Sequence, residues 1–143
     1  MRIFLDSSVL VPSFTKRHIH FAHSRRLFLA AERQSTFCAA HSLAEAYSRL
    51  TGAPTRPKVS PAQGLLFLDE IESRLTTVAL DGPEYREAIE KAAALGLAGG
   101  AIYDYLIAQC ALKASADVIY TWDLKDFLRF GGEIAAKVRS PGQ

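Results

Sequence analysis

Cysteine is scarce in this chain. Only Cys38 and Cys110 occur in 143 residues, too few for a disulfide framework, and both stand in apolar stretches, so they read as reduced core residues of a cytoplasmic protein. No apolar run approaches the roughly 20 residues that a membrane span needs, and no membrane association is expected. The N-terminal MRIFLDSSVL has the apolar look of a leader, but Asp6 interrupts it and no small-residue cleavage site follows. A large excess of either charge is missing too: 17 Lys and Arg against 15 Asp and Glu leave a net +2, which permits a nucleic-acid partner without arguing for one. The four histidines, His18, His20, His23 and His41, make no zinc-ligand spacing with the two cysteines. Internal repeats and low-complexity segments are absent.

What is present is an ordinary globular composition, 49% hydrophobic and 22% charged. It predicts one domain over residues 1–143, long enough to bury a core without staples. Short apolar strands are predicted at 2–6, 36–40, 75–80 and 117–121, with an edge strand at 135–138. Between them fall helical patterns. Ser7 and Ser8 offer caps for a helix to about Phe14, with Pro12 near its first turn. Residues 19–33 read as an amphipathic helix with Phe21, Phe28 and Ala31 on one face and Arg25, Arg26 and Arg33 outward. In 41–50, Leu43, Ala46, Tyr47 and Leu50 form a core face, and Gly52 ends the helix. APTRPKV (53–59) is a basic surface loop. Ser60-Pro61 opens a helix with Leu65, Leu68, Ile71 and Leu75 inward, and Asp81 caps another carrying Tyr85, Ile89 and Ala92. Strands alternating with helices predict a mainly parallel sheet of four to five strands covered on both faces, an α/β/α sandwich. Ligands of such sheets sit beyond the carboxyl ends of the strands.

Gly99–Ala114 is the stretch around which the rest is organised. Its helix carries one charge between Ala101 and Leu112, Asp104, flanked on its own face by Ala101, Ala108 and Ala111. A carboxylate buried among small side chains needs a partner, either a basic side chain from elsewhere in the fold or a metal ion. Three other acids are predicted at the same sheet edge. Asp6 ends the first strand, Glu45 lies near the start of the third helical segment, and Asp123 follows the last core strand. Each has a local alternative. Asp6 suits a helix cap; Ser42 and Glu45 spell a capping box; Glu45 and Arg49 suit a surface pair; Asp123 and Asp126 suit a turn. Convergence of all four favours a site. Clustered carboxylates without a His or Cys pattern suit hard cations, Mg²⁺ or Mn²⁺, and the phosphodiester chemistry that such ions support.

At FLDSSVL (4–10), HSLAEAYSRL (41–50), GGAIYDYLIAQCAL (99–112) and VIYTWDLKDF (118–127) the chain resembles the PIN-domain ribonucleases, in particular the VapC-type toxins of bacterial toxin–antitoxin pairs. The similarity spans nearly the whole chain. It implies a three-layer α/β/α fold and a metal-dependent RNA endonuclease with Asp6, Glu45, Asp104 and Asp123 as its acids, Asp126 being second choice for the fourth. Ser8 stands where many relatives carry Asn, and Ser7 and Thr121 match hydroxyls that steady the acids. The resemblance also implies a homodimer and a cognate VapB-like antitoxin that inserts a basic side chain into the acidic pocket. Arg17, Arg25, Arg49, Arg56, Lys58 and Lys125 are candidates for an RNA backbone track; His18 and His20, in a basic segment with Lys16, Arg17, Arg25 and Arg26, have the chemistry to touch phosphate but read first as a solvated face. A PIN nuclease of RNA maturation and a non-catalytic RNA-binding domain are the other readings.

Overall fold

The computed structural model describes residues 1–143. Five short strands, β1 (Ile3–Leu5), β2 (Thr36–Ala39), β3 (Thr76–Val78), β4 (Val118–Tyr120) and β5 (Val138–Arg139), form one sheet in the order β3-β2-β1-β4-β5. Every neighbouring pair is parallel, with Phe4 opposite Phe37 on one side and Ile119 on the other. The chain therefore builds outward from β1 in one direction, returns, and builds outward from β4 in the other. The switch of direction lies between β1 and β4. Loops leaving the carboxyl ends of these two strands diverge there and leave a crevice.

Alternation along the strands divides the core in two. Phe4, Phe37, Ala39 and Ile119 face α5 (Gly82–Ala94) and α6 (Ala101–Lys113), where they meet Ala88, Ala92, Ile107, Ala108 and Ala111. Leu5 and Cys38 face the other way, against Val9 and Leu10 of α1 (Ser7–Leu10), Phe28 of α2 (Phe21–Leu29), Ala46 and Leu50 of α3 (Ala40–Gly52), and Ile71 of α4 (Pro61–Arg74). Two short helices, α7 (Leu124–Phe127) and α8 (Gly132–Ala135), close the first core with Phe127 and Ile134. Both cysteines are free and buried, and no helix is long and apolar enough to cross a membrane.

Several local expectations shift. The segment to Phe14 is a four-residue helix followed by a 3₁₀ turn at Pro12–Phe14, and its cap is Asp6 rather than a serine. The helix expected over 19–33 is confined to Phe21–Leu29. Arg25 does not point outward. Its guanidinium lies 5.7–5.8 Å from the ring centres of Phe14 and Phe28, donates to the Ser13 carbonyl and pairs with Glu70 at 3.6 Å. Residues 135–138 contribute α8 as well as the edge strand, which begins only at Val138. On α4 the inward row is Gly64, Leu68, Ile71 and Leu75, while Leu65 is 58% exposed. Gly64 takes the inward place because a Cβ there would meet Thr51 Cγ2 at 2.9 Å and the Tyr47 ring at 3.0 Å. On α5 the buried row is Ala88 and Ala92, and Tyr85 and Ile89 are exposed. Small side chains let α5 lie close to α6, and the large ones go to solvent.

Candidate active site

Asp6 follows β1 directly and is 1% exposed. Its two oxygens have different surroundings. Oδ2 accepts from the Ser8 amide (3.3 Å), the Ser8 hydroxyl (2.8 Å) and the Thr121 hydroxyl (2.9 Å). This is the helix-cap role, so the local alternative for Asp6 holds, but for one oxygen only. Oδ1 is buried without any hydrogen-bond partner. The chain after β4 is tied to the same carboxylate by two relays: the Trp122 amide donates to Ser8 Oγ (2.9 Å) and the Asp123 amide to Thr121 Oγ1 (3.0 Å). Each hydroxyl in turn donates its own hydrogen bond to Asp6 Oδ2. Asp123, at the exposed rim, is thereby held in a fixed place relative to a buried acid.

Glu45 sits on α3, but not in a capping box. The N-cap of α3 is Ala39 and no side chain caps it. Ser42 is buried, 2.7 Å from Ser7 Oγ, and Ser7 Oγ lies 2.9 Å from Glu45 Oε1. A carboxylate only accepts, so the single proton of Ser7 goes to Glu45 and aims it inward. The tertiary partner wins because α1 and α3 pack together directly beneath the crevice. His41 Nε2 and Arg49 Nη2 approach Glu45 from one turn before and after, at 3.8 and 4.0 Å; the expected Glu45–Arg49 pair is therefore loose.

Asp104 enters from the first turn of α6. Gly99, at φ +62°, and the cap residue Gly100 turn the chain into that helix. No Lys, Arg or His lies within ion-pair distance of Asp104, Asp6 or Asp123, which removes the basic-partner alternative for Asp104. Burial pushes its carboxyl up to about 7, and the charges of Asp6, Asp123, Glu45 and Asp126 add to the shift. Burial likewise pushes Asp6 up to about 6 against the opposing Ser8 and Thr121 hydrogen bonds. Asp123 is also raised, by partial burial and then by Asp126. Asp126 itself is drawn toward Arg129, 3.8 Å away. Four acids from four parts of the chain thus feel one another's charge. As placed, no three His, Cys, Asp or Glu side chains stand close enough to hold a metal ion together: the acids ring a crevice.

The donor set fits a hard divalent cation all the same. It offers carboxylate oxygens only, one of them buried with no partner, in a place where burial and then neighbouring acids raise the carboxyl pKa of Asp104, a burden that a cation would relieve. Asp6 Oδ1, Glu45, Asp104 and Asp123 are the groups that could hold it.

Two aromatic pairs flank the acids. Tyr103, beside Asp104, lies parallel to His41 at 5.9 Å between ring centres. Trp122, beside Asp123, carries His20 flat upon it at 3.6 Å and 9°. The solvated-face reading holds for His18, which is exposed, but missed the stacking of His20; a lone Trp next to a predicted site acid was the available signal.

Residues 3–133 match the family model for the PIN domain. Ribonuclease VapC40 of Mycobacterium tuberculosis is 32% identical over 120 residues, which cover 84% of this chain and 85% of that protein. Ribonuclease VapC27 of the same species is 30% identical over 115 residues, 80% of each. Among solved structures, VapBC2 from Rickettsia felis bound to a promoter DNA fragment matches with a TM-score of 0.66 at 20% identity, over 98% of both chains. VapBC-1 from nontypeable Haemophilus influenzae matches with a TM-score of 0.65 at 16% identity, over the full length of both. At those identities the structures speak for the fold.

Proposed function

This chain belongs to the PIN-domain family, and from that premise we propose that it is the VapC-type ribonuclease toxin of a toxin–antitoxin pair, a divalent-metal-dependent endoribonuclease acting in the cytoplasm. Its residues 1–143 work as one nuclease domain. Asp6, Glu45, Asp104 and Asp123 hold Mg²⁺ or Mn²⁺ in this reading. The observation that carries it is the unpaired Oδ1 of Asp6, buried at a crevice that Glu45, Asp104 and Asp123 also border, with no basic side chain within ion-pair distance of Asp6, Asp104 or Asp123. The likeness to two ribonucleases over four-fifths of the chain supports the substrate class.

When bound, such an ion supplies a water of lowered pKa and charge neutralisation for the phosphate undergoing cleavage. The protein's part is to place and electrostatically prepare the site. Ser8 and Thr121 saturate Asp6 Oδ2, which fixes the carboxylate and leaves Oδ1 as its free position. Ser7 holds Glu45 in the same way. Asp104 comes from the rigid first turn of a buried helix, and Asp123 is fixed through its backbone amide. Arg49, exposed at the rim beside Glu45 and Asp123, offers a cation to the RNA phosphates. The partners we propose are RNA, a VapB-like antitoxin whose basic side chain substitutes for the cation among the acids, and a second copy of the chain.

Cleavage of RNA in Mg²⁺ and Mn²⁺, with EDTA as control, tests the reading. The wild type is expected to cleave only with metal, and Asp6→Ala and Asp104→Asn to lose cleavage. Undiminished cleavage by both variants refutes the site. Growth arrest on expression, relieved by co-expression of a VapB-like protein, separates a toxin from a nuclease of RNA maturation.

A further inference from the structure

Next to Asp123 the surface opens into a pocket of about 240 Å³ whose walls include Ser8, His18, His20, Arg49, Trp122 and Asp123. We propose that this pocket is a nucleotide subsite, in which one unstacked base of the RNA lies against the His20–Trp122 plate while its phosphate faces Arg49. The proposal rests on the ribonuclease reading for the identity of the ligand, and on the following geometry for the site.

Trp122 is a fixed plate. Its indole Nε1 donates to Ser24 Oγ at 2.8 Å, and Ser24 is fully buried on α2. His20 lies on the indole 9° from parallel, and His18 Nδ1 accepts from the His20 amide at 3.0 Å, setting the loop that carries both imidazoles. Nothing in the core needs this stack: His20 precedes α2 without capping it, and its ring nitrogens make no hydrogen bond within the chain. A flat, half-exposed π surface with free polar edges suits a nucleobase, which brings its own π face and its own donors and acceptors. A bare phosphate would use Arg49 and leave the plate idle. The volume falls below the roughly 300–1,000 Å³ of pockets for drug-sized ligands and matches one nucleotide better than a larger ligand. Continuity with the acids completes the placement. Ser8 lines the pocket and also donates to Asp6, and Asp123 belongs to both, so a nucleotide seated here sits beside the phosphate presented to the acids. A base in a duplex is stacked and paired on both sides and cannot enter.

The test uses a short single-stranded RNA cut by the wild type in Mg²⁺, the same RNA carrying an abasic nucleotide on either side of the cut, and the variants His20→Ala and His20→Phe. His20→Ala is expected to raise KM about tenfold, the worth of one base–aromatic stack, with kcat within about twofold. His20→Phe, which keeps the plate, is expected to stay near wild type and controls for folding. An abasic nucleotide on one flank is expected to raise the wild-type KM by a similar factor and to add nothing further in His20→Ala. Trp122 is the chain's one tryptophan, so saturable quenching of its emission by the RNA in EDTA reads the pocket without cleavage. Unchanged KM in His20→Ala together with no quenching overturns the subsite while cleavage keeps the ribonuclease reading. Quenching that is lost in His20→Ala, in a chain that cuts no RNA, supports the subsite and overturns the reading.

Discussion

Replacing Asp6 by asparagine separates the electrostatic burden of the crevice from its function. Asp6 is 1% exposed and its carboxyl stands at about 6 instead of 3.8. A folded-state pKa raised for an acid means that the folded protein holds the proton more tightly than the unfolded chain. Stability is therefore full below the unfolded value of 3.8, and it falls as pH rises through the window up to about 6. Two pH units correspond to about 3 kcal/mol of destabilisation above the window, shrinking to below about 1 kcal/mol at pH 4. Asparagine keeps the shape and removes the charge. Its carbonyl can take over the three bonds now made by Oδ2, and its NH₂ then occupies the place of the unpaired Oδ1. That amide has no acceptor and costs about 1–2 kcal/mol at any pH. In EDTA at pH 8 the variant is thus expected to be about 1–2 kcal/mol more stable than wild type, and at pH 4 somewhat less stable. Subtracting the two differences cancels the amide cost and leaves about 2–3 kcal/mol due to the charge. Urea titrations followed by circular dichroism at the two pH values measure it. A variant destabilised equally at pH 4 and pH 8 refutes the claim that Asp6 carries an unneutralised charge. The same variant is expected to lose RNA cleavage, since its free position no longer offers a carboxylate oxygen.

Divalent metal should reverse that order: millimolar Mg²⁺ or Mn²⁺ is expected to raise the melting temperature of wild type at pH 8 and not that of Asp6→Asn. The gain should fade below pH 6, as Asp6 and Asp104, at about 6 and about 7, take up protons. Ser7→Ala removes the hydroxyl that aims Glu45 and is expected to lower kcat about tenfold with a stability loss of about 1 kcal/mol; an unchanged kcat would make Ser7 a packing residue only. Gly64→Val places a branched side chain where a Cβ alone already meets Thr51 at 2.9 Å, and a loss of about 1–3 kcal/mol is expected in urea unfolding.

Much of the architecture was legible because it depends on short-range pattern. The short buried apolar runs IFL and TFCA, the Ser60 and Asp81 caps, and the glycines before α6 each act within a few residues, and the structure contains all of them. Where the reading slipped, a distant neighbour decided. Leu65 and Ile89 had the spacing of core residues, yet the close approach of α4 to α3 and of α5 to α6 gave the inward places to Gly64 and Ala88. Arg25 had the pattern of a surface charge and lies over phenylalanine rings.

The acids divide along the same line. Their presence, order and placement at strand ends and helix starts follow from sequence, because chain direction in a parallel sheet puts the residue after every strand at one edge. That the Asp6 oxygen capped by Ser8 is also the one taken by Thr121, leaving the other free, and that Glu45 turns across to Ser7 rather than back to its own helix, depended on hydroxyls 115 and 38 residues away. The same holds for the laying of His20 on Trp122, a contact between a loop and a turn that share no local pattern. Hydrogen bonds and ring stacking are satisfied by whatever atom arrives in reach, and only the packed fold determines which atom that is.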